Sequence, residues 1–179
     1  MSVRVVRRTR PQHKVLAADS RVSDTHPTVT IAAPTVSTRA AIWRLAHETD
    51  NSNAYLLWLA DYFDQSLIAW INGQLAGFVV AGELRSGSGT ARILDIAVSA
   101  SVRRSLVVPP LLDQLVTKLI GRGLSHIEAS LKTTDSELAT DLRSLTERWR
   151  TKLVVADDPT GGVRGVSTVT VGPLHPRSG

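Results

Sequence analysis

The stretch "ILDIAVSASVRRSLVVPPLLDQL", Ile93 to Leu115, decides how the rest of the chain is read. Its first residues, up to Val98, have the apolar composition of a strand in a packed sheet. A basic loop follows, with Arg103, Arg104 and Ser105. After the Arg103–Val108 loop, "PPLLDQLVTKLIGRG" reads as an amphipathic helix. Pro109 or Pro110 is expected near the first turn of that helix, where a missing N–H breaks no bond. A strand that feeds a helix N-terminus is a natural site for a pyrophosphate, because unpaired N–H groups and the positive end of the helix dipole converge there. Between Val98 and Leu115 there is no glycine. Any anion held here must be held without the residue that turns its backbone most freely.

Working outward, "TVTIAA" (Thr28 to Ala33) alternates like a strand and stops at Pro34. "STRAAIWRLAHET" reads as a helix capped by Ser37 or Thr38, with Ala41, Ile42, Leu45 and Ala46 on its buried stripe. "AYLLWLADYF" (Ala54 to Phe63) suits a short packed helix. "SLIAWING" and "QLAGFVVAGEL" form a hairpin across Asn72-Gly73, and "TARILDIAVSA" is the next strand. After the Pro-Pro helix come a strand in "LSHIEASLKT", a helix in "DSELATDLRSLTERWR" capped by Thr134 or Asp135, and a closing hairpin of "KLVVAD" and "GVSTVTVGP". The order β-α-α-β-β-β-α-β-α-β-β implies α/β (α+β) architecture: a mixed, mostly antiparallel central sheet flanked by helices on both sides.

At 179 residues the chain suits one domain, expected over 28–179, preceded by a basic arm over 1–27. The arm carries Arg4, Arg7, Arg8, Arg10, Lys14 and Arg21 against Asp19 and Asp24, so it holds most of the net charge of +5. It has no aromatic residues on which bases could stack, and nucleic acid is not an expected partner. No apolar run is long enough for a membrane span, and the N-terminus lacks the apolar core of a secretory signal. There is no cysteine, which excludes disulfides, thiolate metal sites and a cysteine nucleophile. Cytoplasmic residence is the expectation. The five histidines show no metal-ligand spacing, and no G-x-S-x-G marks a serine nucleophile. His126 is either an acid or base beside the strand of Glu128 or an ordinary half-buried histidine.

Four stretches resemble a known family when taken in order. "DNSNAYLLW", "GQLAGFVVAG", "ILDIAVSASVRRS" and "IEASLKTTDSELATDLRSLTERW" resemble segments of the GNAT acyltransferase fold, and more narrowly of diaminobutyrate acetyltransferase, an enzyme of ectoine synthesis. The likeness runs from about Thr28 to Trp149. It implies a GNAT fold, acetyl-CoA as co-substrate, a small diamino acid such as 2,4-diaminobutyrate as acceptor, and a homodimer. Where the family loop reads R-G-x-G-L/K-A, this chain has Arg103, Arg104, Ser105, Leu106, Val107 and Val108. Keeping the family's loop shape would put Arg104 and Leu106 at positive φ, at about 1–2 kcal/mol each. The Pro-Pro pair implies a helix that starts later than in the family. The alternative reading is a homologue that keeps the fold and uses the cleft for binding, or acts through a partner.

Acyl transfer to an amine needs donors for the diphosphate, an amide for the thioester oxyanion and a neutral attacking amine. Arg103, Arg104 and Ser105 either contact phosphate with side-chain donors or solvate a turn. By resemblance, backbone N–H groups at Ile96, Ala97 and Val98 face the thioester. Asp95 lies within an apolar run and needs a cleft, a partner or solvent. It is either a base, a holder of the substrate ammonium, or an acid on the polar face of its strand. Glu128 matches a family glutamate and is the second catalytic candidate. Asp50, Asn51, Ser52 and Tyr55 form the candidate substrate loop, or else an Asx turn. Asp135 falls where the family has an asparagine near the cofactor, and it caps the last helix in the alternative.

Overall fold

The computed structural model describes residues 27–49, 65–84, 87–132, 136–157 and 166–176. Seven strands form one sheet: β1 (Val29–Ala32), β2 (Leu67–Ile71), β3 (Gln74–Glu83), β4 (Thr90–Val98), β5 (His126–Lys132), β6 (Lys152–Asp157) and β7 (Val166–Gly172). They lie in the order β1-β2-β3-β4-β5-β7-β6. Every neighbouring pair is antiparallel except β4 and β5, which run parallel. Among the described residues three α-helices accompany them: α1 (Arg39–Glu48), α2 (Arg104–Gly121) and α3 (Ser136–Trp149). The expected mixed sheet with helices on both sides is what the chain builds. Residues 1–26, and the expected helix over 54–63, lie outside the described residues.

Local chemistry explains most of the boundaries. Asn72 and Gly73 both sit at positive φ (51° and 76°), as a two-residue hairpin turn requires. α1 follows a single 3-10 turn, Val36–Thr38, in which Thr38 Oγ1 accepts from the Thr35 N–H at 2.9 Å. Its buried stripe is Ile42, Leu45 and Ala46, which packs on Phe78, Val80 and Ala97 of the sheet. The opposite sheet face is covered by α2 and α3. Val107, Val108, Leu111, Leu112, Leu115, Val116 and Leu119 of α2 are all fully buried there. Asp113 on α2 fastens α3: Arg148 donates to it through Nε at 3.1 Å with Nη2 3.0 Å away in an ion pair, and Trp149 donates through Nε1 at 2.8 Å. No helix among the described residues is long and apolar enough to cross a membrane.

The helix at the loop departs from expectation. α2 begins at Arg104, with Arg103 as its N-cap, so Pro109 and Pro110 lie inside it and it does not start late. The two prolines withhold N–H groups from the carbonyls of Ser105 and Leu106. Both of those residues are exposed, so their carbonyls can turn to water. The buried apolar row behind the prolines holds the helix together across the break. Arg104 and Leu106 also avoid positive φ; among the described non-glycine residues only Asn72 and Arg150 adopt it. The glycine positions have become ordinary first-turn helix.

Candidate active site

A fault in the sheet creates the site. Pairing between β3 and β4 slips between Val80 and Ala81: Asp95 faces Val80, Ile93 faces Ala81, and Leu94 is the extra residue of a bulge. Just beyond it, β4 and β5 part. Their ladder runs from Thr90–His126 to Ile93–Ala129 and stops, although β4 continues to Val98 and β5 to Lys132. The diverging strands open a cleft of about 790 Å³. Its walls are β4 from Arg92 to Ile96, Ser130 and Lys132 of β5, Arg104 of α2, and the first turn of α3. The edge of β4 that faces this cleft has no ladder partner on β5 beyond Ile93.

The two faces of the sheet give the cleft a polarity. Ile96 is buried on the α2–α3 face. Asp95 stands opposite Val80, whose side chain packs under α1, so Asp95 belongs to the α1 face. Arg92 lies between Ala91 and Ile93, and Glu128 between Ile127 and Ala129; all four neighbours sit in the core on the α2–α3 face. Arg92 and Glu128 therefore also point to the α1 face. They pair directly across the β4–β5 ladder and form a salt bridge from Nη2 to Oε1. Glu128 is not on the cleft wall, whereas Arg92 and Asp95 are.

At the other end stands Arg104. Its Nε and Nη2 donate to Asp141 Oδ2 at 2.9 and 2.7 Å, and Nη1 lies 3.7 Å from Glu137. Burial pushes the Asp141 carboxyl above the usual carboxylate range, the Arg104 donors pull it back, and the charge of Glu137 pushes it up again. Arg103 is exposed, and its side chain makes no capping hydrogen bond to the N–H groups that open α2. Ser105 is exposed beside a hollow of about 290 Å³ lined by Arg104, Ser136, Glu137, Thr140 and Asp141. Ala97 is buried and Val98 half-buried on the strand leading to this loop. His126 lies away from the cleft, its Nδ1 2.9 Å from Ser125 Oγ. Asp50, Asn51, Ser52, Tyr55 and Asp135 fall outside the described residues.

This arrangement places Asp95 and Arg104 on one cleft, with Ser105 on the neighbouring hollow and Glu128 paired with Arg92. A model of the acetyltransferase (GNAT) family matches residues 35–142, which includes β2–β5, α1 and α2. The chain belongs to the GNAT acetyltransferase family. It is 32% identical over 117 residues to the L-2,4-diaminobutyric acid acetyltransferase of Nocardia farcinica, covering 62% of this chain and 60% of that protein. The protein of the same name from Halalkalibacterium halodurans is 25% identical over 173 residues, 91% of this chain and 90% of its own length. Among solved structures, the diaminobutyrate acetyltransferase of Paenibacillus lautus, in complex with L-2,4-diaminobutyric acid and coenzyme A, has the same fold. It superposes with a TM-score of 0.70 at 19% identity, covering 86% of this chain and all of that one. The PaiA N-acetyltransferase of Thermoplasma acidophilum, in complex with coenzyme A, superposes at 0.61 with 10% identity, over 81% of this chain and 99% of its own.

Arg92, Lys132 and Asp141 were not singled out from the sequence. Strict alternation along β4 sends Arg92 and Asp95, three residues apart, to opposite faces. Only the bulge at Leu94 returns them to the same one.

Proposed function

We propose that this chain is an acetyl-CoA-dependent N-acetyltransferase whose acceptor is the amine of a small diamino acid of the 2,4-diaminobutyrate kind. The observation that carries the reading is the parting of β4 and β5 at Ile93–Ala129, with Asp95 on the wall of the resulting cleft. The cleft fits an elongated cofactor arm: it runs along the open β4 edge and reaches Arg104, the first residue of α2, whose N-cap Arg103 makes no side-chain cap bond. No positive φ is needed to expose those first N–H groups, so the missing glycines do not close the site. Bound there, acetyl-CoA supplies an activated acyl thioester.

The residues divide the work as follows. The α2 N-terminus, with Arg103, Arg104 and Ser105 around it, holds the diphosphate. Along the open β4 edge, over Ile96 to Val98, the N–H groups of Ile96 and Val98 donate to the pantetheine and to the thioester oxygen, while Ala97 turns its N–H toward β3. Asp95 takes the proton that the acceptor ammonium must lose before its nitrogen attacks, directly or through one water. Glu128 is held by Arg92 and does not line the cleft, so the reading assigns proton transfer to Asp95, which does. As part of this reading the chain works in the cytoplasm as a homodimer, the state the family resemblance implies. Asp50, Asn51, Ser52 and Tyr55 contact the acceptor and Asp135 the cofactor in the same resemblance.

The test is calorimetric titration with acetyl-CoA, followed by mass spectrometry of a mixture of the protein, acetyl-CoA and 2,4-diaminobutyrate. Micromolar binding with formation of N-acetyldiaminobutyrate is expected. Silence at millimolar acetyl-CoA rejects the enzyme reading and leaves the fold intact.

A further inference from the structure

Arg104 stands where the family loop has its first glycine. Its guanidinium is planar and offers N–H groups along two separate edges. One edge, Nε with Nη2, is closed: both donate to Asp141 Oδ2, at 2.9 and 2.7 Å. The other edge, Nη1 with the second N–H of Nη2, makes no hydrogen bond among the described residues. Glu137 Oε2 stands 3.7 Å from Nη1, too far for one, on a side chain that is 76% exposed. Asp141 differs, because only 16% of its side chain is exposed. A carboxylate so enclosed stays where its donors hold it, and it holds them in turn. The pair ties the first residue of α2 to the middle of α3.

An arginine fixed by one edge presents the other as a fork, and a fork of parallel N–H groups matches two oxygens of a phosphate. Arg104 lines the cleft between β4 and β5 and also the adjoining hollow of Ser105, Ser136 and Thr140. We propose that Asp141 is a positioning residue: it holds Arg104 by one edge so that the Nη1–Nη2 edge receives a phosphate of the acyl donor. This rests on the acetyltransferase reading and deepens it. Where a glycine loop turns backbone N–H groups toward the anion, this chain uses a side chain anchored from α3. The anchor removes most of the rotamer freedom of Arg104 before the donor arrives, so little is left to lose on binding. Glu137 plays the opposite part. It is a loosely held anion beside the open edge, and an incoming phosphate displaces it.

The experiment titrates acetyl-CoA by calorimetry into wild type, Arg104→Gln, Asp141→Asn, Glu137→Gln and the Arg104→Gln/Asp141→Asn double variant. Arg104→Gln should weaken binding by about 10–100-fold, the range for a charged hydrogen bond. Asp141→Asn should weaken it by about 3–10-fold and add nothing in the Arg104→Gln background, as coupled neighbours do. Glu137→Gln should tighten it by about 2–5-fold at low salt. The two acids thus act in opposite directions, although each substitution removes one negative charge. S-acetylpantetheine, which keeps the thioester arm and has no phosphate, serves as the second donor with diaminobutyrate as acceptor. Its kcat/KM should be the same in all five proteins. An Asp141→Asn protein that binds acetyl-CoA as tightly as wild type, or more tightly, overturns the proposal. So does a loss shared by acetylpantetheine, which would mark Asp141 as merely structural. In both cases the acetyltransferase reading stands. A wild type that binds no acetyl-CoA at millimolar concentration overturns that reading, and the proposal with it.

Discussion

Replacing Gly77 by alanine tests the packing that sets the mouth of the cleft. Gly77 lies on β3 opposite Val98, beneath the start of α2. A Cβ there would stand 2.8 Å from the Ala97 carbonyl oxygen and 2.8 Å from Val107 Cγ1. Neither can move cheaply, since one is backbone of β4 and the other a fully buried side chain of α2. Overpacking of this kind costs about 1–3 kcal/mol. The lost flexibility of glycine in the unfolded chain returns about 0.4–1 kcal/mol. The net expectation is a loss of about 1–2 kcal/mol, or a fall of about 3–8 °C in Tm for a domain of this size. Urea denaturation should show a lower midpoint with an unchanged m-value. Val107→Ala removes one of the two contacts, so in its background the cost of Gly77→Ala should shrink by at least about 0.5 kcal/mol. Val107 is on the second turn from Arg104, so displacing it should also weaken acetyl-CoA binding. A Gly77→Ala protein as stable as wild type would refute this account of the packing.

Three further outcomes follow from the site and the helix beside it. Asp95→Asn should lower kcat by about 10²–10⁴-fold while acetyl-CoA affinity measured by calorimetry holds, and a fully active variant would remove Asp95 from proton transfer. Asp141 binds its proton more tightly folded than unfolded, so its contribution to stability is complete below the unfolded pKa and is lost as pH rises through the raised folded value. Wild type should therefore lose stability relative to Asp141→Asn in urea titrations as pH rises from below the ordinary Asp range through the raised folded value, and a gain over that rise would contradict the burial-driven shift. Pro110→Ala restores a donor to the Leu106 carbonyl within α2 and should raise stability by about 1–3 kcal/mol, read as a higher urea midpoint.

The order of elements was legible because each strand and helix announces itself locally. The helical period of Leu111, Leu112, Leu115, Val116 and Leu119 is a property of consecutive residues, and so is the Asn72-Gly73 turn. The start of α2 was misjudged because proline rules are statements about isolated helices. Here a wholly buried row of side chains outweighs two absent N–H groups and carries the helix back to Arg104. Arg104 itself was expected beside phosphate. It does reach the cleft, but it is also bound to Asp141, 37 residues away, and no spacing rule couples those two positions.

The chain by itself determined the strands, the helices, the basic loop and the family they resemble. These follow from periodicity, turn chemistry and composition, all of which act over a few residues. The tertiary structure alone decided where β4 bulges and where it leaves β5. Those two irregularities set which face each later side chain occupies, and they bring Arg92 and Asp95 together. A one-residue slip in a ladder reverses the faces of a strand. Its position depends on the packing of α1 on one side and α2 on the other, which the order of residues along β4 does not state.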